Sequence, residues 1–410
     1  MSTPRVDIVP LRPAVKSDSP TTLDVLLAIT PPEDTLTQRP PMNIGLVLDR
    51  SGSMAEAKKM SFAREAAVFL VQQLKRNDRF SFTVFDEQIE TLVPSRPVEN
   101  TSSLVSLINA VQPRGSTDLF AGWAEGGKQV RENKIANGTN RVILLSDGQA
   151  NHGETNPDVM AGAAKALSQA GVSTTTMGVG DSYNEDLLEK IAEHGDGNYY
   201  YISSPVQLMD IFQSELKELV GIAGTSVTLR VKLPEAATGL DVLNDFLKNG
   251  DGAYQLPNLI GGATTNVLVR FTVPAQAAES EIARFVLEWD NPKKAGRQTL
   301  ELALKLPAIT TDAYMKLAED VTVSDQVSVL QIARLKREAM SHMDRGDMHG
   351  TAALVQDMDA MVCAMPPASL TRAGETEDLE EIKKLLASGD KDKLRKTASV
   401  QSNYARRSKP

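Results

Sequence analysis

Hydrophobic positions change their spacing three times along this chain. Near Thr22–Ile29 (TLDVLLAI) they alternate with a period of two, and the proline pairs Pro31-Pro32 and Pro40-Pro41 bound the run. From Asn43 to Asp49 (NIGLVLD) the residues are almost all apolar, as in a parallel strand buried on both faces. A helix is predicted over about Glu56–Lys75, because Met60, Ala63, Ala67, Leu70 and Leu74 recur at three- and four-residue steps. Strands are expected at Arg79–Phe85 and Gln88–Arg96, close enough to pair as a hairpin. Helical stretches then alternate with apolar strands at Arg141–Asp147, Ser173–Val179 and Asn198–Ile202. That alternation predicts a doubly wound α/β domain over 41–221 with a mostly parallel sheet.

After Gly224 the period returns to two, in Val227–Leu233, Val267–Val273 and Leu300–Leu306. Short alternating strands between Gly, Pro and Asn turns predict an antiparallel β-sandwich over 222–310. The strands of 1–40 share this character, so Arg5–Pro32 is expected to join the sandwich, with the α/β domain inserted in it. A helical region is expected over 311–395, with helices near Asp312–Asp344 and Asp347–Ala364 around Arg345-Gly346. A second Gly-Asp break follows at Gly389-Asp390. From Lys391 onward there are seven basic side chains against one acidic, and 396–410 is expected to be a frayed basic tail.

Composition narrows the functional classes. The 410 residues suggest two to four domains at roughly 100–200 residues each. With 44 basic and 53 acidic side chains the net charge is −9, which disfavours non-specific nucleic-acid binding. Cys363 is the single cysteine, so no intrachain disulfide can form. Met1–Val15 has no basic segment leading into an apolar core, and no apolar run reaches the roughly 20 residues of a membrane helix. The expected setting is cytoplasmic, with no membrane partner.

The candidate chemistry lies at strand ends. The run Asn43–Asp49 leads directly into a D-x-S-x-S pattern, Asp49, Ser51 and Ser53. Thr117 precedes a helix, and Asp147 closes the strand RVILLSD before Gly148. In a doubly wound sheet the carboxyl ends of strands line the ligand crevice, so two carboxylates and three hydroxyls are expected at one edge. An all-oxygen set suits hard divalent cations, whereas zinc calls for His or Cys.

In their order and strand-end positions these residues resemble the metal-ion-dependent adhesion site of von Willebrand factor type A domains. The resemblance covers about Pro41–Gly221, and Met177-Gly178-Val179-Gly180 is similar to the family's last strand-to-helix turn. Ser116 is a departure, since glycine often occupies that position. The resemblance implies that Ser51, Ser53 and Thr117 offer hydroxyl ligands, with Asp49 and Asp147 binding directly or through water. Magnesium is the expected ion, with manganese or calcium admissible. With neutral hydroxyls innermost the cation would keep much of its charge and take a partner protein's Asp or Glu into its open position. Some related domains serve beside AAA-type ATPases, so the resemblance admits such an ATPase, or another signalling protein, as the partner.

Other classes are weaker. A magnesium-dependent phosphoryl-transfer enzyme would fit acidic strand ends. However, position 51 is serine where a dehalogenase-like phosphatase needs its second aspartate, and neither a phosphate-binding loop nor a dinucleotide fingerprint is present. The four scattered histidines suggest no Ser-His-Asp set. A metal-free structural scaffold is the other alternative to a non-enzymatic binding module. Arg345-Gly346-Asp347 is read as a helix turn, Asp245–Asp251 as a turn, His342 and His349 as ordinary residues, and Asp118 as a helix cap. Arg406, Arg407 and Lys409 are read as a solvated end.

Overall fold

The computed structural model describes residues 3–33, 40–136, 138–147, 150–180, 183–202, 205–291 and 296–408. The chain divides into two compact units, Met1–Asp34 with Ile222–Pro410, and Thr35–Gly221. Gly148 and Lys409, named above, lie outside the described residues. Strands β1 (Arg5–Pro10), β2 (Val15–Lys16) and β3 (Thr21–Thr30) come first.

The unit Thr35–Gly221 begins with β4 (Met42–Asp49), buried along its whole length as its unbroken apolar run requires. A 3-10 segment, Gly52–Lys58, leads into α1 (Lys59–Gln73). The predicted helix thus starts three residues late as an α-helix: Lys58 adopts a left-handed φ of 62°, which breaks the helical run. Next come the hairpin β5 (Arg79–Phe85) and β6 (Ile89–Pro97), then α2 (Thr101–Ala110) and α3 (Leu119–Glu132). The remainder is β7 (Thr139–Ser146), α4 (Pro157–Gln169), β8 (Ser173–Val179), α5 (Glu185–His194), β9 (Tyr199–Ile202) and α6 (Pro205–Gly221). The sheet order is β6-β5-β4-β7-β8-β9, parallel except for β6. The chain therefore runs outward from β4 to β6, returns, and continues on the other side from β7. Close approach of α3 depends on glycine: a Cβ on Gly126 would lie 2.1 Å from Val47 Cγ2.

The other unit continues with β10 (Ile222–Lys232), β11 (Thr238–Val242), β12 (Tyr254–Gln255), β13 (Leu259–Ile260), β14 (Thr265–Val273), β15 (Ser280–Asp290), β16 (Arg297–Leu306) and β17 (Ala308–Ile309). One antiparallel sheet has the order β1-β3-β14-β11, and a second runs β12-β10-β15-β16. Val25, Leu27 and Phe271 of the first share a core with Leu229, Phe285 and Trp289 of the second, which makes a sandwich. Helices α7 (Thr311–Met315), α8 (Val321–Asp344), α9 (Met348–Ala364), α10 (Arg372–Ser388) and α11 (Lys391–Arg406) complete the unit. Leu26 of β3 and Leu268 of β14 point to the sheet's other face and pack with Val323 and Leu330 of α8. That is why β3 is apolar on both faces rather than cleanly alternating.

Two expectations are corrected. The single helix over Asp312–Asp344 is two, because Asp320 caps α8 by accepting from Val323 N while its own amide donates to Leu11 O. The tail is not frayed: α11 runs to Arg406, with Leu394 and Ala398 buried in the helical core. Arg406 is itself buried, donating to the Asn244 and Asp245 carbonyls. Basic residues face inward here because backbone carbonyls satisfy their donors. The Arg345-Gly346-Asp347 segment is a turn between α8 and α9, with Asp347 capping α9.

The glycines give a test of opposite signs. Gly126→Ala should destabilise the protein, because the roughly 1 kcal/mol gain in helix propensity is outweighed by overpacking against β-branched Val47, at about 1–3 kcal/mol. Gly162→Ala on α4, where a Cβ meets nothing within 4 Å, should stabilise by about 0.5–1 kcal/mol. Urea denaturation of both variants reads the two signs.

Candidate metal centre

The order of the parallel sheet decides where a ligand can sit. Strand order reverses between β4 and β7, and crevices form outside the carboxyl ends of strands at such a switch. Asp49 ends β4 and Asp147 follows the last residue of β7, so both carboxylates stand at that place. Both are fully buried.

Asp49 is held from two sides. Its Oδ1 accepts from the Ser51 amide at 2.8 Å, and its Oδ2 accepts from the Ser146 hydroxyl at 2.5 Å. Burial, reinforced by the negative charge of Asp147, pushes the Asp49 carboxyl up to about 6, against the opposing hydrogen bonds from Ser146 and Ser51. The hydroxyls of Ser51 and Ser53 lie 3.1 Å apart. Asp147 Oδ2 is paired with Lys59 Nζ at 3.0 Å, while Asp147 Oδ1 is buried with no hydrogen-bond partner among the described residues.

Backbone links bring the third segment to the same edge. Arg114 N donates to Arg50 O at 2.6 Å and Gly52 N to Gly115 O at 3.0 Å, so the loop after β4 is stitched to the loop before α3. Buried Thr117 receives the Asn151 and His152 amides on its carbonyl and donates its own amide to Asn151 Oδ1 at 2.8 Å. The loop before α3 is thereby tied to the segment that follows β7. Asp118 caps α3 through Ala121 N, as expected for that residue.

Three residues at this edge escaped the reading of the sequence. Asp86, just past β5, is buried and accepts from Arg50 Nε at 2.9 Å and Arg114 Nε at 2.7 Å. Ser146 orients Asp49. Lys59 was in principle legible: it stands four residues before Ala63, in the apolar stripe of α1, where a lysine needs a reason. Its burial at the first position of a helix is doubly costly, because the helix dipole disfavours a cation there.

The donor set fits a hard divalent cation. Among the described residues no three His, Cys, Asp or Glu gather as a metal-holding group, so a cation would depend on hydroxyl oxygens beside the two carboxylates. Among the described residues Asp147 Oδ1 lacks the partner that burial ordinarily demands of an acceptor.

Comparison with known proteins agrees with this topology. Over 349 residues the chain is 25% identical to an uncharacterized protein of Synechocystis sp., covering 80% of each. It is 27% identical over 198 residues to the uncharacterized protein YfbK of Escherichia coli, covering 48% of this chain and 34% of that one. A von Willebrand factor type A structure from Catenulispora acidiphila shares the fold, with a TM-score of 0.72 at 18% identity over 97% of this chain and 96% of that one. The family model of the von Willebrand factor type A domain matches residues 43–214, and the chain carries a domain of that family.

Proposed function

We propose that this protein is a binding module, not an enzyme, that uses a divalent cation at Asp49, Ser51, Ser53, Thr117 and Asp147 to take up a carboxylate of a protein partner. Domains of this family are commonly protein-interaction modules. The observation that carries the metal-dependent reading is the buried Asp147 Oδ1 without a hydrogen-bond partner among the described residues, beside a second buried carboxylate and paired serine hydroxyls. A bound cation would serve there as a Lewis acid toward an anionic oxygen. The chain's own part is to fix the donors: Ser146 and the Ser51 amide orient Asp49, and the stitched loops carry Thr117. Magnesium suits the oxygen set best, with manganese and calcium as substitutes. Among the described residues no helix is long and apolar enough to cross a membrane. The lone, exposed Cys363 suits a reducing, cytoplasmic compartment and a partner in a signalling or assembly system there.

Magnesium or manganese at about 100 times its Kd should stabilise the protein by about 2.7 kcal/mol, read as a rise in Tm. Asp49→Ala should abolish that rise while keeping the wild-type circular dichroism, and should lose chelator-sensitive retention on a glutamate-bearing matrix. A wild-type Tm indifferent to both ions refutes the reading.

Without metal, the same carboxylate sets a pH dependence. Its raised value in the fold means that protonated Asp49 favours the folded state. The stabilisation is complete below about 4, the unfolded value, and is lost as pH rises through about 6. Across that window unfolding free energy should fall by about 2–3 kcal/mol in chelator. Asp49→Asn, whose amide can donate to Ser146, should flatten the slope; an unchanged slope assigns it elsewhere.

A further inference from the structure

Lys59 is built into the cation site with more care than a chance ion pair needs. Its ammonium meets Asp147 Oδ2 at 3.0 Å with both side chains buried. Its stem is accommodated by the loop after β8: a Cβ on Gly180 would lie 2.8 Å from Lys59 Cε, and Gly180 itself has a φ of +77°. Lys58, immediately before it, takes a left-handed conformation at the start of α1. Two unusual backbone positions thus serve to bring one positive charge to the edge where Asp49 and Asp147 stand.

The charge balance gives this placement a consequence. Asp49 and Asp147 as carboxylates carry two negative charges, and Lys59 returns one. A divalent cation alone would cancel the two carboxylates and leave a neutral site with little electrostatic demand for a partner. With Lys59 present, the two carboxylates, the ammonium and the ion together carry one positive charge, in a buried setting where charge is weakly screened. One carboxylate from outside then restores neutrality.

We propose that Lys59 is a resident counter-charge that weakens cation binding and, by adding its positive charge beside the ion, strengthens the loaded site's hold on a partner carboxylate. The inference rests on the cation-site reading above and assigns the trade between the two affinities to one side chain. Lys59 is a positioning residue in this account, holding Asp147 Oδ2 so that Oδ1 is the oxygen left to the ion.

The test is manganese titration by calorimetry at neutral pH on the full chain, with and without saturating acetate as the carboxylate probe. Wild type is compared with Lys59→Met and, should that variant fold poorly by circular dichroism, Lys59→Gln. Removing the charge should tighten manganese binding by roughly tenfold or more while shrinking the acetate-induced tightening several-fold. A purely structural lysine would loosen the ion and leave the acetate effect in proportion, so the opposite signs are diagnostic. Manganese binding that is unchanged or weaker in a folded charge-free variant overturns the role of Lys59 and leaves the cation site standing. Manganese binding seen only after the charge is removed overturns both readings, because the native site would then hold no ion for a carboxylate to complete. An absence of manganese binding in wild type and variants alike overturns the cation site, and this inference with it.

Discussion

Two carboxylates buried side by side at the ends of adjacent parallel strands repel each other, and much of the inserted unit answers that repulsion. Asp49 and Asp147 come together because β4 and β7 are neighbours at the point where strand order reverses. Neither can retreat, since each is fixed to a fully buried strand in the middle of the sheet. The cost is met locally: an amide and a hydroxyl hold Asp49, and an ammonium faces one oxygen of Asp147. Among the described residues one acceptor, Asp147 Oδ1, has no hydrogen-bond partner, and a buried acceptor in that condition is where an external positive charge gains most.

The same edge holds a third acid, and it is satisfied in a different way. Asp86 ends the neighbouring strand and is equally buried, yet Arg50, Arg114 and the Gln88 amide satisfy it. Its arginines also grip the loops on either side, Arg50 within the D-x-S-x-S segment itself. One strand-end aspartate thus acts as a fastener for the loops, whereas Asp147 receives a single ammonium on one oxygen. The difference between Asp86 and Asp147 lies in the donors aimed at each, not in burial.

The inserted fold was legible because its signals are local and strong. The apolar runs of β4 and β7 fell within one or two residues of the observed strands, the expected strand Ser173–Val179 coincides with β8, and Asn184 caps α5. The five candidate ligands were proposed from the D-x-S-x-S pattern, from strand-end positions and from the resemblance to type A domains. What escaped depends on tertiary partners. Short β11, β12, β13 and β17 carry too few residues for a period to register, and β15 mixes charged and apolar residues. The break before α8 follows from a bond to Leu11 O, and the order of α11 from carbonyls around Asn244, neither visible in a local window. Lys59 stands out as a lysine in the apolar stripe of α1, but the carboxylate that holds it lies 88 residues away and no local window shows it.

The pairing of β3 with β14 has a consequence for the order of events when the chain is made. Leu27 of β3 lies opposite Val267, with the whole α/β unit between them in sequence. The inserted unit owns all six strands of its sheet, so it can reach its final form while it is the newest part of the chain to leave the ribosome. Strand β3 must meanwhile wait with one edge and two apolar faces exposed, until residues some 240 positions later arrive to cover them. Early synthesis is therefore the interval in which this molecule most needs a chaperone's shelter, and it ends only once the sandwich has received its distant strands.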